Sequence, residues 1–351
     1  MGRWRVKGGI YMKGKLKILI CYGTRPEWLK IKSLYNSSPN YKLLKIQQHT
    51  TLIEDLPFDY VLKYDLKNTN RLNEIVINNL KNMPYIEDFD AILVQGDTTS
   101  AFSLALAAYH MKIPIIHLEA GLRTYTNNPY PEEFNRRAIS LMASIHLCPT
   151  KQNLINLEEE NILGEKYVVG NTVLDNLNGV EKSEGNHILI TMHRRENIDK
   201  IPDWFESFEN IAKKYPQYTF IYPMHPNPAI QQHKHLLKNI KVVNPLSHEE
   251  LLQLLASCKL VITDSGGIQE EACYLKKVTL VCREKTERVE SLNQTSWLVN
   301  SSNLGAYISL ALNGELKIPS DYKCPYGDGR TTESINNIMS RFTSKRRFNN
   351  G

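Results

Sequence analysis

The stretch "ITDSGGIQEEA", Ile262 to Ala272, carries an apolar strand-like run into Asp264 and Ser265, then two glycines, then the opening of a helix. The glycines let backbone approach another group closely. A strand turning into a helix here presents free amide donors and about half a positive charge, a setting that favours phosphate. Glu271, about one turn inside the helix, is placed to meet the hydroxyls of a ribose; an acidic residue favoured by the helix dipole would look the same. Taken alone, an S-G-G turn is also an ordinary tight turn.

The pattern around this stretch predicts the fold. "KLVITDS" (Lys259–Ser265) is one of a series of short continuous apolar runs, with "HILITM" (His187–Met192), "YTFIYPM" (Tyr218–Met224), "IKVVNPL" (Ile240–Leu246) and "KVTLVC" (Lys277–Cys282). An earlier series holds Leu16–Tyr22, "AILVQG" (Ala91–Gly96), "IPIIHLEAG" (Ile113–Gly121) and "SIHLCPT" (Ser144–Thr150). Continuous apolar strands alternating with helices imply parallel sheets covered on both faces. The expectation is α/β: two Rossmann-like doubly wound domains facing a cleft. Residues 16–178 form the first and 179–332 the second, with a polar linker at Gly179–Asn186; 333–351 holds a C-terminal helix and tail, and 1–15 a mobile extension.

With 351 residues the chain suits two domains rather than one core. Its 42% hydrophobic and 23% charged content describe a soluble globular protein, with no apolar run near the ~20 residues of a membrane helix and no signal peptide. Six cysteines without a CxxC pair read as reduced thiols in a cytoplasmic protein, not as a zinc site. The net charge of +6 is spread along the chain. The basic tail "SKRRF" (Ser344–Phe348) reads as a solvated terminus, so neither nucleic acid nor membrane is expected as a partner.

Ligands of open parallel sheets bind beyond the carboxyl ends of the strands, and Arg25, Asp97, Glu119, His193, His225 and Ser265 all stand at such ends. Arg25, Arg288 and His193 supply cations toward an anion. Asp97, Glu119 and Glu132 or Glu133 form an acidic counterpart, in which crowding raises at least one pKa toward a useful acid/base value. A divalent cation is the rival reading of these carboxylates. It ranks lower because the spacing matches no metal cage, so no metal or cofactor is assigned.

The blocks "GTRPEWLK", "QGDTTSAF", "HLEAGLRT", "PYPEEFNRR", "GNTVLDNL", "TMHRREN", "TDSGGIQEEA", "TERVE" and "PYGDGRTTESI", in order from about Leu16 to Ile335, together resemble the non-hydrolysing UDP-N-acetylglucosamine 2-epimerases. The resemblance implies a GT-B-like fold, a homodimer, and a C-terminal helix returning to the first domain. It implies that Ser265, Gly266 and Gly267 hold the UDP pyrophosphate and Glu271 the ribose. Arg25, Lys30, Arg136, His193 and Arg288 would bind the nucleotide sugar, and Asp97, Glu119, Glu132 and His193 would carry catalysis. The C2 proton of a UDP-sugar lies beside no carbonyl and is poorly acidic. The family accordingly eliminates UDP to a 2-acetamidoglucal and re-adds it while a proton arrives on the other face.

Three features depart from the family pattern: Val289 replaces a proline beside Arg288, Leu251 stands where an aromatic residue is common, and "QHTTL" (Gln48–Leu52) replaces a charged segment that helps bind a second, activating UDP-sugar. The sugar is open between UDP-GlcNAc and a 6-deoxy UDP-HexNAc. Rival readings are a hydrolysing epimerase, a GT-B glycosyltransferase and a non-catalytic nucleotide-sugar sensor.

Overall fold

The structure, a computed structural model, describes residues 16–47, 54–64, 70–83 and 88–342. The expected N-terminal extension, the "QHTTL" segment and the basic tail lie outside the described residues. Chain contacts divide the molecule into two compact units. One holds the described residues up to Asn176 together with those from Gly327 onward, and the other holds Leu177–Tyr326.

Seven strands form the sheet of the first unit: β1 (Ile18–Tyr22), β2 (Tyr41–Gln47), β3 (Tyr60–Lys63), β4 (Ala91–Gln95), β5 (Ile115–Leu118), β6 (Ile145–Cys148) and β7 (Glu165–Val168). Their order is β3-β2-β1-β4-β5-β6-β7, and every pairing is parallel. The second unit repeats the plan with β8 (His187–Thr191), β9 (Thr219–Pro223), β10 (Lys241–Val243), β11 (Leu260–Thr263), β12 (Thr279–Val281) and β13 (Ser296–Leu298), ordered β10-β9-β8-β11-β12-β13 and again all parallel. Both are doubly wound Rossmann-like units of the GT-B-like class expected from the sequence.

The central strands are the ones whose apolar runs announce them, because both of their faces are covered: every residue of "ILICY" in β1 and "AILVQ" in β4 is buried. Four strands gave no such signal. β2 carries Lys42 and Lys45, and Lys45 is buried because its ammonium donates to the carbonyls of Glu54 (3.2 Å) and Leu56 (2.8 Å) and lies 4.4 Å above the Phe58 ring. β7 exposes both of its ends, Glu165 and Val168, and β3 and β13 are short. All six cysteines are free, five of them buried. Among the described residues no helix is long and apolar enough to cross a membrane.

The helix Thr331–Met339 belongs to the first unit. Its Ile335, Ile338 and Met339 enter the same core as Ile20, Ile31 and Leu43, and Tyr41 donates to Asn336 at 2.7 Å. The two leading amides of the helix, Thr331 N and Thr332 N, donate to the Asp175 carboxylate at 2.9 and 2.7 Å. No side chain of the helix's own Arg330 caps it, so Asp175 satisfies donors that would otherwise be orphaned. Asp175→Ala should cost about 1–2 kcal/mol, the upper range of an N-terminal cap. Hydrogen exchange should report it as faster exchange confined to residues 331–339.

Candidate functional site

In each unit the strand order reverses once, between β1 and β4 and between β8 and β11. The loops leaving these strands carry most of the predicted site residues, as the switch-point rule requires.

In the first unit, β1 runs into Gly23 and Thr24, and Thr24 caps the helix Arg25–Asn36. Glu27 is buried beneath this turn, where its carboxylate accepts from Gly23 N (2.9 Å), Thr24 Oγ1 (2.8 Å) and Thr98 Oγ1 (2.7 Å). Thr98 in turn caps the helix that follows β4. Glu27 therefore fastens one strand exit to the other. Burial raises its pKa, and the three donors oppose that rise. Arg25, at the first position of its helix, is exposed.

Asp97 follows Gly96, which has φ +66°. Its Oδ2 accepts from Arg136 Nε at 2.9 Å and from the terminal nitrogen Nη2 at 2.5 Å. Arg136 also donates to Glu133 at 3.2 Å, and Glu133 accepts from the amides of Thr124 and Tyr125. Glu133 is thus built into the Asp97–Arg136 cluster, and Glu132 is half-buried at the first position of the helix Glu132–Met142.

Glu119 leaves β5 with φ +67°, a left-handed conformation that a side chain other than glycine's adopts at a cost. Its carboxylate is 6% exposed and holds Lys30 Nζ at 2.6 Å from both oxygens. Gln95 and Asn171 also donate to it, Asn171 at 3.1 Å. A side chain at Gly96 would come within 3.3 Å of this carboxylate, so the turn that delivers Asp97 also makes room for Glu119. Behind the turn, His117 Nε2 lies 2.9 Å from the Gly96 carbonyl, and burial lowers the His117 pKa to about 3. It is a neutral tie, not an acid or base.

In the second unit the corresponding joint is Asp264. Fully buried, it accepts from the amides of His193 (3.0 Å) and Arg194 (2.9 Å) and from Asn197 Nδ2 (3.0 Å). These three residues leave β8, so Asp264 fixes the "HRREN" loop against the exit of β11. His193 keeps 41% of its side chain exposed and stacks on His225, with ring centroids 5.6 Å apart. Burial lowers the pKa of both rings, and the Asp264 charge opposes this.

Ser265 caps the helix Gly266–Tyr274. A Cβ at Gly266 would lie 2.5 Å from the Arg288 guanidinium carbon, so a larger residue there has to displace that side chain. Gly267 has nothing within 4 Å of that position. Arg288 is buried between Glu270 (2.7 Å) and Glu287. Glu287 also takes Arg283 at 2.8 Å, which reaches Glu196 at 2.7 Å. Glu271 is buried and pairs with His248 Nε2 at 2.9 Å. Glu27, Gln95, Asn171, Glu270, Glu287 and His248 complete the two clusters and were not singled out from the sequence.

Two groups of side chains result: cation-paired carboxylates at the strand ends of one unit, and a helix N-terminus flanked by His193 and Arg288 in the other. The family model described as UDP-N-acetylglucosamine 2-epimerase matches residues 41–340. The chain belongs to this family. It is an epimerase, an enzyme of the isomerase class. The UDP-N-acetylglucosamine 2-epimerase of Campylobacter jejuni is 36% identical to it, over 92% of this chain and 97% of the relative. The crystal structure of the Neisseria meningitidis enzyme bound to UDP-GlcNAc matches at 32% identity and a TM-score of 0.84, covering 93% of this chain and all of that one. The Methanocaldococcus jannaschii enzyme in complex with UDP-GlcNAc and UDP matches at 28% identity and a TM-score of 0.78, covering 93% and 100%.

Two outcomes follow from this epimerase's geometry. Gly266→Ala forces Arg288 from its buried ion pairs and should cost about 1–3 kcal/mol, whereas Gly267→Ala should stay within about 1 kcal/mol of the parent; thermal unfolding of the two variants compares them directly. The second concerns pH. Because the folded pKa of Glu27 is raised above its unfolded value near 4.5, the stability it contributes is fullest below that value and falls as pH rises through the folded pKa. Glu27→Gln does not titrate, so its penalty relative to the parent should be larger at about pH 4.5 than at pH 8. A penalty that grows with pH in paired melting curves would contradict this.

Proposed function

We propose that the protein interconverts the C2 epimers of a UDP-N-acetylhexosamine, UDP-GlcNAc and UDP-ManNAc or their 6-deoxy analogues, by eliminating UDP and adding it back across a 2-acetamidoglucal, without releasing free sugar. The observation that carries this reading is the Glu119 site: a buried carboxylate held in a costly backbone conformation by Lys30, Gln95 and Asn171, with Asp97 on the neighbouring strand exit. A backbone conformation maintained at a cost is a mark of functional sites, and an acid or base must be positioned before a proton moves. The relatives bound to UDP-GlcNAc and to UDP lend the substrate class.

On this reading Ser265, Gly266 and Gly267 meet the pyrophosphate, and His193, Arg25 and Arg288 make UDP a better leaving group by opposing its developing charge. Glu271 accepts the ribose hydroxyls. Asp97, Glu119 and Glu132 handle the C2 proton with Arg136 and Lys30 beside them, and Glu133 braces Arg136. Neither metal nor redox cofactor is invoked: C2 is inverted by proton exchange and transient loss of UDP, with no net oxidation. A homodimer and a cytoplasmic location complete the reading; the exposed Phe134 and Leu141, seven residues apart on the helix Glu132–Met142, offer an apolar stripe for a second copy.

Incubation with UDP-GlcNAc in deuterated water, followed by NMR, tests the reaction. Epimerisation yields UDP-ManNAc carrying deuterium at C2. Free ManNAc would instead identify a hydrolysing enzyme, and an unlabelled, unchanged UDP-GlcNAc would fit a glycosyltransferase or sensor. Asp97→Asn, Glu119→Gln and Glu132→Gln should each lose at least ~10²-fold in rate, with UDP affinity changed far less. Near-normal turnover in all three would sink the proton-transfer assignment.

A further inference from the structure

We propose that His248 is a positioning residue for Glu271, and that through Glu271 it sets how sharply the nucleotide-binding unit separates ribonucleotides from deoxyribonucleotides. This rests on the reading of Glu271 as the ribose acceptor.

Glu270 and Glu271 are adjacent and both buried, yet they are held in different ways. Glu270 is locked by the Arg288 guanidinium at 2.7 Å. Glu271 has a single side-chain partner among the described residues, the imidazole of His248, with Nε2 2.9 Å from Oε1. A guanidinium offers a fork that engages both oxygens of a carboxylate, whereas an imidazole N–H engages one. His248 thus fixes the Glu271 rotamer, satisfies one oxygen and leaves the other to accept a hydroxyl.

The imidazole is itself held firmly. His248 opens the helix His248–Ser257, whose start is pinned by a reciprocal capping box: Ser247 N donates to Glu250 at 2.7 Å, and Glu250 N donates to Ser247 Oγ at 3.2 Å. The ring is 11% exposed, and its Nδ1 is buried with no protein partner. With Nε2 donating, Nδ1 is an acceptor only, so the ring is oriented by its bond to Glu271 and by packing, not by a second bond behind it. Removing that donor would leave Glu271 buried without a partner, and a carboxylate in that state either takes up a proton or turns away. In the first case the bond to a hydroxyl loses its charge assistance, and in the second the bond itself is lost, while the pyrophosphate contacts remain.

The test compares UDP with 2′,3′-dideoxy-UDP by calorimetry on the full-length protein. The parent should prefer UDP by at least about tenfold, the discrimination given by hydrogen bonds to a charged group. Glu271→Gln should bring the preference to within about threefold, the size of a neutral amide's residual contribution. His248→Phe should do the same by weakening UDP alone, and His248→Gln, whose amide can donate to the same oxygen, should restore most of it. His248→Ala reads the same ratio if the phenylalanine variant folds poorly. If Glu271→Gln erases the preference and the His248 variants keep it, the His248 proposal is overturned and the ribose reading survives. If the parent shows no preference, or Glu271→Gln retains it, the ribose reading fails and the proposal falls with it. A preference lost equally in His248→Phe and His248→Gln would also overturn it, because the donated hydrogen bond would then not be what matters.

Discussion

Everything at the two strand-end regions depends on one constraint: a parallel sheet delivers its functional loops from separate strands, and something must hold those loops in register. In each unit a buried carboxylate does this. Asp264, on the exit of β11, collects two amides and an asparagine side chain from the loop leaving β8. Glu27, on the exit of β1, collects an amide and two hydroxyls, one of them from the exit of β4. The solution is the same in both: a buried carboxyl group on which short donors from separate strand exits converge. Removing either carboxylate would orphan several buried donors at once, which costs far more than losing one surface contact.

A second consequence concerns how charge is stored. The cations near the proposed phosphate site are not held in reserve. Arg288 is already between Glu270 and Glu287, and Arg283 is shared between Glu287 and Glu196. Buried ion pairs of this kind add little net stability but fix side-chain directions. Arg288 therefore acts as a rigid wall beside Gly266, and since Ser265 N is already given to Thr263 Oγ1 at 2.9 Å, the Gly266 and Gly267 amides of the helix N-terminus are the better candidates for the principal phosphate contact. On this account the first glycine of the S-G-G turn serves the arginine and the second keeps the approach open.

The sequence made the fold legible where burial is two-sided. Central strands such as β4 read as unbroken apolar runs, and the alternation with helices is enough to imply parallel sheets. The four strands that went unread lie at or near an edge, and the reasons are physical: β7 exposes its ends, and β2 hides a lysine whose ammonium is met by two carbonyls. The charged site residues were legible because carboxylates and cations are conspicuous at strand ends. Their supports were not. Gln95, Asn171, Glu27 and His248 are ordinary polar residues until the fold brings them to Glu119, Thr98 and Glu271. That Glu133 pairs with Arg136 was equally beyond the residue pattern, since adjacent helical residues point in directions about 100° apart and the pairing is a matter of packing; the resemblance alone singles out Glu132 for catalysis.

The pairing chemistry also separates the two carboxylates that the proposed reaction uses. Asp97 is held by Arg136, and a guanidinium keeps its proton in any protein environment. That partner can orient Asp97 and offset its charge, but it cannot relay a proton. Glu119 is held by Lys30, a compact ammonium within 2.6 Å of both carboxylate oxygens. Its other donors are the neutral amides of Gln95 and Asn171, which stay in place whichever form the carboxyl takes. Glu119 also carries the left-handed backbone, so its position is the one maintained at a cost. The two carboxylates therefore differ in what holds them: a guanidinium fork for Asp97, and an ammonium with two neutral amides for Glu119.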